Sequence, residues 1–224
     1  GANQSLLKRV PYDAVASFEP VTKLGTITLA LVTGPALPAK TVAELVAQAK
    51  AQPGKLTFGA GSSSSRIAGE LLKSLAGLDL TYVPYRSNPQ AITDLLGGQI
   101  SMVFADISTT LPQVKSGKTT GLAVSTQKRS VLAPELPTMA EAGVPGYDLA
   151  AWFAAFLPAK TPAPIVARLR EALVAAVSDP AVQEKLLAAG IEPETSTSDD
   201  LRRFVAAEIT KWAEIVKAAG IQPE

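Results

Sequence analysis

Apolar residues recur at strand and helix spacing along most of the chain, and Gly, Pro or Asn separates one segment from the next. Short runs rich in β-branched or apolar residues predict strands over 23–33, 56–60, 80–83, 100–104, 120–125 and 149–157. Apolar stripes with capping residues predict helices that begin near positions 42, 64, 88, 108, 162, 180 and 198. The alternation of strand and helix between residues 41 and 125 predicts an α/β fold with a parallel sheet.

Composition narrows the chemistry that the chain can perform. The 224 residues include 21 Lys or Arg and 20 Asp or Glu, so no basic surplus points to a nucleic-acid partner. The chain has no His and no Cys, which excludes a histidine triad, a thiol nucleophile, disulfides and zinc–thiolate or iron–sulfur sites. No dinucleotide, phosphate-loop or nucleophile-elbow motif is present. We therefore predict binding rather than catalysis, with no cofactor and no metal.

Three loops follow predicted strands and lead into predicted helices. They cover Gly59–Ser65, Tyr85–Asn88 and Asp106–Thr109. Loops that follow parallel strands meet at one edge of the sheet, where ligands of such folds bind. Helix N-termini there offer unpaired N–H groups and a partial positive charge, so they bind anions without a buried Lys or Arg. The loops therefore predict a site for a carboxylate or a phosphate.

Each candidate residue in these loops also has a purely structural interpretation. Ser, Asn and Asp are ordinary helix caps, although four consecutive serines exceed what one cap needs. Arg66 either contacts the anion or lies in solvent, and Asp106 either receives a ligand amino or hydroxyl group or caps a turn. The candidate ligand-binding residues are Ser62, Ser63, Ser64, Ser65, Arg66, Tyr85, Ser87, Asn88, Asp106 and Ser108.

Eight stretches, in order along nearly the whole chain, resemble one family. They are Leu37–Leu45, Pro53–Leu56, Ile67–Leu71, Val83–Tyr85, Thr93–Ile100, Lys128–Ser130, Pro137–Gly143 and Trp152–Phe153. These stretches are similar to the Bug (TctC-type) family of periplasmic substrate-binding proteins, which serve tripartite tricarboxylate transporters. A departure is Arg66, where many members carry His.

The resemblance implies a two-lobed, type II periplasmic-binding-protein fold that closes on a small di- or tricarboxylate or an aromatic carboxylate. It implies a periplasmic location and delivery of the ligand to membrane permease subunits. Residues 1–28 with 149–224 would form what remains of the first lobe, and residues 29–148 the second α/β lobe. Against the family pattern, we expect that the N-terminal part of the first lobe is missing from this chain and that any signal peptide is absent or already removed.

Three alternative functions stay open at this point. The chain could sense a ligand on behalf of a sensor kinase, or act on small carboxylates through a Ser–Lys or carboxylate pair. A fragment without binding activity is the third alternative. The missing strands would also leave an open sheet edge, which predicts a possible homodimer.

Overall fold

The computed structural model describes residues 10–218 and residue 220. Its strands are β1 (Phe18–Ile27), β2 (Leu29–Thr33), β3 (Thr57–Ala60), β4 (Thr81–Pro84), β5 (Met102–Asp106), β6 (Thr120–Val124), β7 (Ala151–Pro158) and β8 (Glu192–Pro193). Its helices are α1 (Val42–Ala51), α2 (Ser63–Ala76), α3 (Asn88–Leu96), α4 (Ile107–Lys115), α5 (Ala163–Ser178), α6 (Pro180–Ala188) and α7 (Ser198–Ala218). The described helices include none that is long and apolar enough to cross a membrane.

The chain divides into two compact units. Unit 1 contains the residues up to Thr26 and those from Trp152 onward, and unit 2 contains Ile27–Ala151. The sequence-based boundaries fell between residues 28 and 29 and between residues 148 and 149. Unit 2 is thus a continuous segment, whereas unit 1 is assembled from two separate parts of the chain.

The sheet of unit 2 is mixed: the four strands predicted between residues 41 and 125, β3 to β6, run in one direction as predicted, but β2 is antiparallel to them. Its strand order is β4-β3-β5-β2-β6. Strand β3 runs parallel to β4 and β5, but β2 runs antiparallel to both of its neighbours, β5 and β6. The stretch 23–33, predicted as one strand, divides at Thr28, and its second half inserts between β5 and β6. A run of β-branched residues favours a strand but does not encode its direction.

The core of unit 2 is closed on both faces of its sheet. All five residues of β2 are buried, and so are four of the five residues of β5. The Phe104 and Tyr147 rings stack with their centroids 5.7 Å apart, and both side chains are fully buried. A strand buried on both faces is typical of a sheet that helices cover from two sides. On α2 the apolar side chains of Ile67, Leu71 and Leu72 are buried, whereas Leu75 is exposed.

The strands and helices of unit 1 are much less completely buried than those of unit 2. The sheet of unit 1 has the order β7-β1-β8, and none of the eight residues of β7 is buried, although all of them are apolar. In α5 only Val166 and Val177 are buried, and Ile165 is 54% exposed. In the described part of the chain β7 forms a sheet edge. Pairing of that edge with a second copy stays a prediction.

A polar cluster and an apolar cavity lie within unit 1. Glu208, which is 4% exposed, accepts hydrogen bonds from the indole N–H groups of Trp152 and Trp212, each at 3.1 Å, and pairs with Lys211 at 2.6 Å. These contacts give the buried carboxylate the partners that burial requires. A cavity of about 190 Å³ lies beside this cluster; its lining residues are Tyr12, Ala14, Phe18, Trp152, Phe156 and Val205. Trp152 thus packs within unit 1 and lines this cavity.

Candidate ligand-binding site

Three helices of unit 2 begin at the same edge of its sheet. Strands β4, β3 and β5 are neighbours in that order and run in the same direction, and α3, α2 and α4 follow their carboxyl ends. The first-turn N–H groups of a helix have no intrahelical acceptor. The predicted convergence of the three loops at one edge therefore follows directly from the topology of unit 2.

The serine loop between β3 and α2 uses its four hydroxyls differently. Ser62 is the N-cap of α2, and its Oγ accepts a hydrogen bond from the Ser65 N–H at 3.2 Å. Ser65 is fully buried, whereas Ser63 is exposed and its hydroxyl has no partner in the described part of the chain. The N–H groups of Ser63 and Ser64 accordingly stay available to a ligand at the helix N-terminus.

A buried amide joins the serine loop to the start of α3. The Asn88 Oδ1 accepts hydrogen bonds from the Gly61 N–H and from the Ser65 Oγ, both at 3.0 Å. The helix begins at Asn88, near its predicted start, and Ser87 is its N-cap. The Asn88 side chain is 7% exposed, so it holds the two loops together from inside.

The approach of these two loops requires glycine at position 61. A Cβ atom built on Gly61 would lie 1.9 Å from the carbonyl carbon of Ser87 and 2.3 Å from the Asn88 nitrogen. Those are backbone atoms, so a side chain at this position could not be relieved by a rotamer change. The loops that carry Ser62–Ser65 and Ser87 are therefore in direct backbone contact.

Tyr85 and Arg66 both have partners within unit 2. The Tyr85 hydroxyl donates a hydrogen bond to Asp94 Oδ2 at 2.8 Å, and burial together with that carboxylate raises the pKa of Tyr85 to about 12. The Arg66 guanidinium lies over the ring of Tyr82, 5.0 Å from its centroid, as a cation–π contact. The side chain of Ser87 is exposed and makes no capping hydrogen bond.

Asp106 ends β5 and precedes α4, at the centre of the sheet edge. Its side chain is half-buried and makes no capping bond to the helix, and burial raises the pKa of its carboxyl. The hydroxyls of Thr109 and Thr110 donate to the backbone carbonyl of Asp106, at 2.8 and 3.2 Å, and not to its carboxylate. Ser108, the second residue of α4, is exposed at the same edge.

Two residues of this region were absent from the sequence-based list. Asp94 lies on α3 and reaches Tyr85 through the hydrogen bond described above, a contact that no local pattern indicates. Ser125 directly follows β6, so its position after a strand was a usable signal. Its Oγ accepts a hydrogen bond from the Leu29 N–H at 3.1 Å and donates one to the Leu149 carbonyl at 2.7 Å.

The arrangement favours an anionic ligand held by backbone and hydroxyl donors. Partial positive charge from three helix N-termini meets at one edge, and small side chains leave the N–H groups accessible. Among residues 10–218 and 220 no group of three or more carboxylates could hold a metal ion. A carboxylate or a phosphate fits these donors.

Comparison with known proteins places the chain in a family. The family described as "Tripartite tricarboxylate transporter family receptor" (TctC) matches residues 2–221. The chain belongs to this receptor family. BugT of Bordetella pertussis is 34% identical over 218 residues, which make up 96% of this chain and 67% of BugT. The resemblance to the Bug (TctC-type) family is thereby confirmed.

Solved structures of this receptor family match the chain closely. Rpa4515 of R. palustris, solved with adipate, is 33% identical with a TM-score of 0.86, over 100% of this chain and 76% of that chain. MatC from Rhodopseudomonas palustris, solved with bound malate, is 28% identical with a TM-score of 0.79, over 96% of this chain and 75% of that chain. These matches confirm the predicted periplasmic-binding-protein fold class. The chain spans about two thirds of the length of the curated relatives it matches.

Proposed function

We propose that this chain is an extracytoplasmic solute-binding protein that captures a small dicarboxylate and delivers it to a membrane permease. The main support for the proposal is that three helix N-termini lie at the carboxyl ends of the neighbouring strands β4, β3 and β5. The chain belongs to a transporter receptor family, and two of its solved relatives hold the dicarboxylates adipate and malate.

The physical basis of binding is donation by backbone N–H groups. The exposed Ser63 and its neighbour Ser64 offer the first-turn N–H groups of α2. Helices α3 and α4 offer fewer, because Pro89 has no N–H and the Ile107 N–H donates to the Thr28 carbonyl. These donors are fixed by the fold, and Asn88 ties two of the loops together. Pre-arranged donors lose little entropy when the ligand binds.

The location and the partner follow from the family. Proteins of the TctC and Bug type are periplasmic binding proteins. We propose the same compartment for this chain, with permease subunits of a tripartite transporter as its partners. Closure of two lobes on the ligand remains a prediction from the sequence.

The test is titration of the protein with adipate and malate in a calorimeter, with 1,6-hexanediol as a ligand of similar length that lacks carboxylates. We expect reversible, saturable binding of at least one dicarboxylate, none of the diol, and recovery of the acid unchanged. At 100 times its dissociation constant the acid should stabilise the fold by about 2.7 kcal/mol. Absence of binding to any small dicarboxylate would contradict the proposal, and consumption of the acid would favour an enzyme.

One pair of variants locates the site. Ser63→Asp puts a negative charge in the first turn of α2, where it suits the helix dipole but repels a bound carboxylate. We expect this variant to stay folded and to lose affinity by at least about tenfold. Ser74→Asp makes the same change at an exposed position in the last turn of the same helix and should bind as before. Equal affinities in the two variants would place the ligand elsewhere.

A further inference from the structure

The carboxylate of Asp106 lacks the structural partner that its position would normally provide. It stands at the N-cap position of α4, where an Asp side chain usually accepts a first-turn N–H, yet it makes no such bond. Among the described residues no donor lies within hydrogen-bond distance of this carboxylate, and no cation pairs with it. The sequence left two roles open for Asp106, a cap and a contact to a ligand, and the missing hydrogen bond excludes the cap.

The surroundings of Asp106 make this lack of partners unfavourable. Its chain neighbours Ala105 and Ile107 are both 1% exposed, and its own side chain is half-buried. Burial raises the pKa of its carboxyl, with no hydrogen bond or positive charge to offset that effect. A half-buried carboxylate without donors destabilises the free protein, which is the pattern expected where a ligand supplies the missing donor.

The polarity of Asp106 is opposite to that of the groups beside it. Strand β5 lies next to β3, so Asp106 and the serine loop follow the carboxyl ends of adjacent strands. The loops present N–H donors, whereas Asp106 presents only an acceptor when it is ionised. A ligand that satisfies both must carry a carboxylate and, elsewhere on its carbon chain, a hydrogen-bond donor.

We propose that Asp106 selects, among the small carboxylates that this chain binds, those that also carry a hydroxyl or amino group. The inference rests on the proposed function and adds a substrate class to it. Asp106 accepts a hydrogen bond from the ligand's hydroxyl or ammonium group, while the helix N-termini hold the ligand's carboxylates. An unsubstituted dicarboxylate leaves Asp106 without a partner and binds less tightly.

The experiment compares succinate, malate and aspartate, which share a four-carbon dicarboxylate skeleton and carry at carbon 2 a hydrogen, a hydroxyl and an amino group. Calorimetry gives the dissociation constants for the natural chain and for Asp106→Ala, Asp106→Asn and Asp79→Asn. Asp79 is exposed and precedes β4 at the opposite edge, so its variant controls for the loss of one charge. Thermal unfolding checks that each variant is folded.

We expect malate or aspartate to bind the natural chain and Asp79→Asn about tenfold to a hundredfold more tightly than succinate. In Asp106→Ala this ratio should fall to about one, mainly because the substituted acid binds more weakly. Asp106→Asn keeps one acceptor oxygen and should retain part of the preference for malate but not for the ammonium group of aspartate. Equal affinities in the natural chain, or a preference that survives in Asp106→Ala, would overturn the inference while leaving the proposed function intact. If none of the three acids binds the natural chain, the inference is overturned, and if adipate does not bind either, the proposed function is overturned with it.

Discussion

The two units of this protein have similar apolar patterns in their sequences but differ in how completely their strands and helices are buried. In unit 2 every residue of β2 is buried, whereas in unit 1 no residue of β7 is. Helices of both units carry apolar stripes at helical spacing, but Ile165 of α5 is exposed where Leu45 of α1 is fully buried. Periodicity therefore indicates which face of an element is apolar, whereas the burial of that face depends on whether a second layer packs against it.

Unit 1 compensates for its thin core with aromatic and polar contacts. Phe18 stands edge-on to Phe156 with their ring centroids 6.3 Å apart, and Trp152 stands edge-on to Phe204 at 5.2 Å. Glu208 then fixes Trp152 and Trp212 by their indole N–H groups. Such contacts order side chains that a closed core would hold by packing alone.

The largest expected effect is a difference between two Phe→Ala substitutions. Phe104→Ala in unit 2 should lower the free energy of unfolding by about 3–5 kcal/mol, because the fully buried ring is stacked on Tyr147 and leaves a cavity. Phe156→Ala in unit 1 should lower it by less than half as much, since that ring is only half-buried. Urea unfolding followed by circular dichroism measures both. Equal losses would mean that unit 1 is as closely packed as unit 2.

An effect of intermediate size is expected at the contact between the serine loop and α3. Gly61→Ala should destabilise the chain by about 1–3 kcal/mol, because the new methyl group meets the backbone of Ser87 and Asn88. It should also weaken dicarboxylate binding by displacing the loop. Gly97→Ala is the matched control: Gly97 has φ −78°, and the atoms nearest to the new Cβ would be 3.6 Å away. If Gly61→Ala is as stable as Gly97→Ala, the two loops are not in the close contact described.

The smallest expected effect is a gain of stability at Asp106. Burial raises the pKa of its carboxyl in the folded chain, so the stability linked to its proton is present at acid pH and is lost as pH rises through the folded-state pKa. Asp106→Asn cannot ionise and should be more stable than the natural chain at pH 7, by no more than about 0.5 kcal/mol. The gain should vanish at about pH 3. Urea unfolding at both pH values tests this, and a loss of stability at pH 7 would show that the carboxylate has a stabilising partner.

The elements of unit 2 were largely predictable because local chemistry specifies them. Thr41 caps α1 through the Glu44 N–H as its Thr-x-x-Glu box predicts, and Gly77 ends α2 in the left-handed conformation. The antiparallel course of β2 was not predictable, since strand direction depends on partners 69 to 77 positions away along the chain. The burial of the α5 side chains was not predictable either, because it depends on which other elements pack against the helix.

The candidate site could be placed from the sequence, but the roles of its residues could not. Strand–loop–helix order located the serine loop, Ser87 and Asp106 at one edge of the sheet. Ser65 and Asn88 have the same capping chemistry as Ser63, yet they bind each other across 23 positions and face the interior. Which polar side chain of a loop faces a ligand is set by tertiary contacts, and these leave no local pattern.

The two hydrogen bonds of the Ser125 side chain have a consequence for how unit 2 could be handled as a piece of protein. They hold Leu29, where the chain enters this unit, and Leu149, where it is about to leave, against the same residue. A segment whose two ends lie side by side behaves as a cassette: a short linker could join the ends, and new termini could be opened in an exposed loop elsewhere. Because so short a linker loses little entropy on closure, unit 2 is suited to excision, circular permutation or transplantation into another host protein.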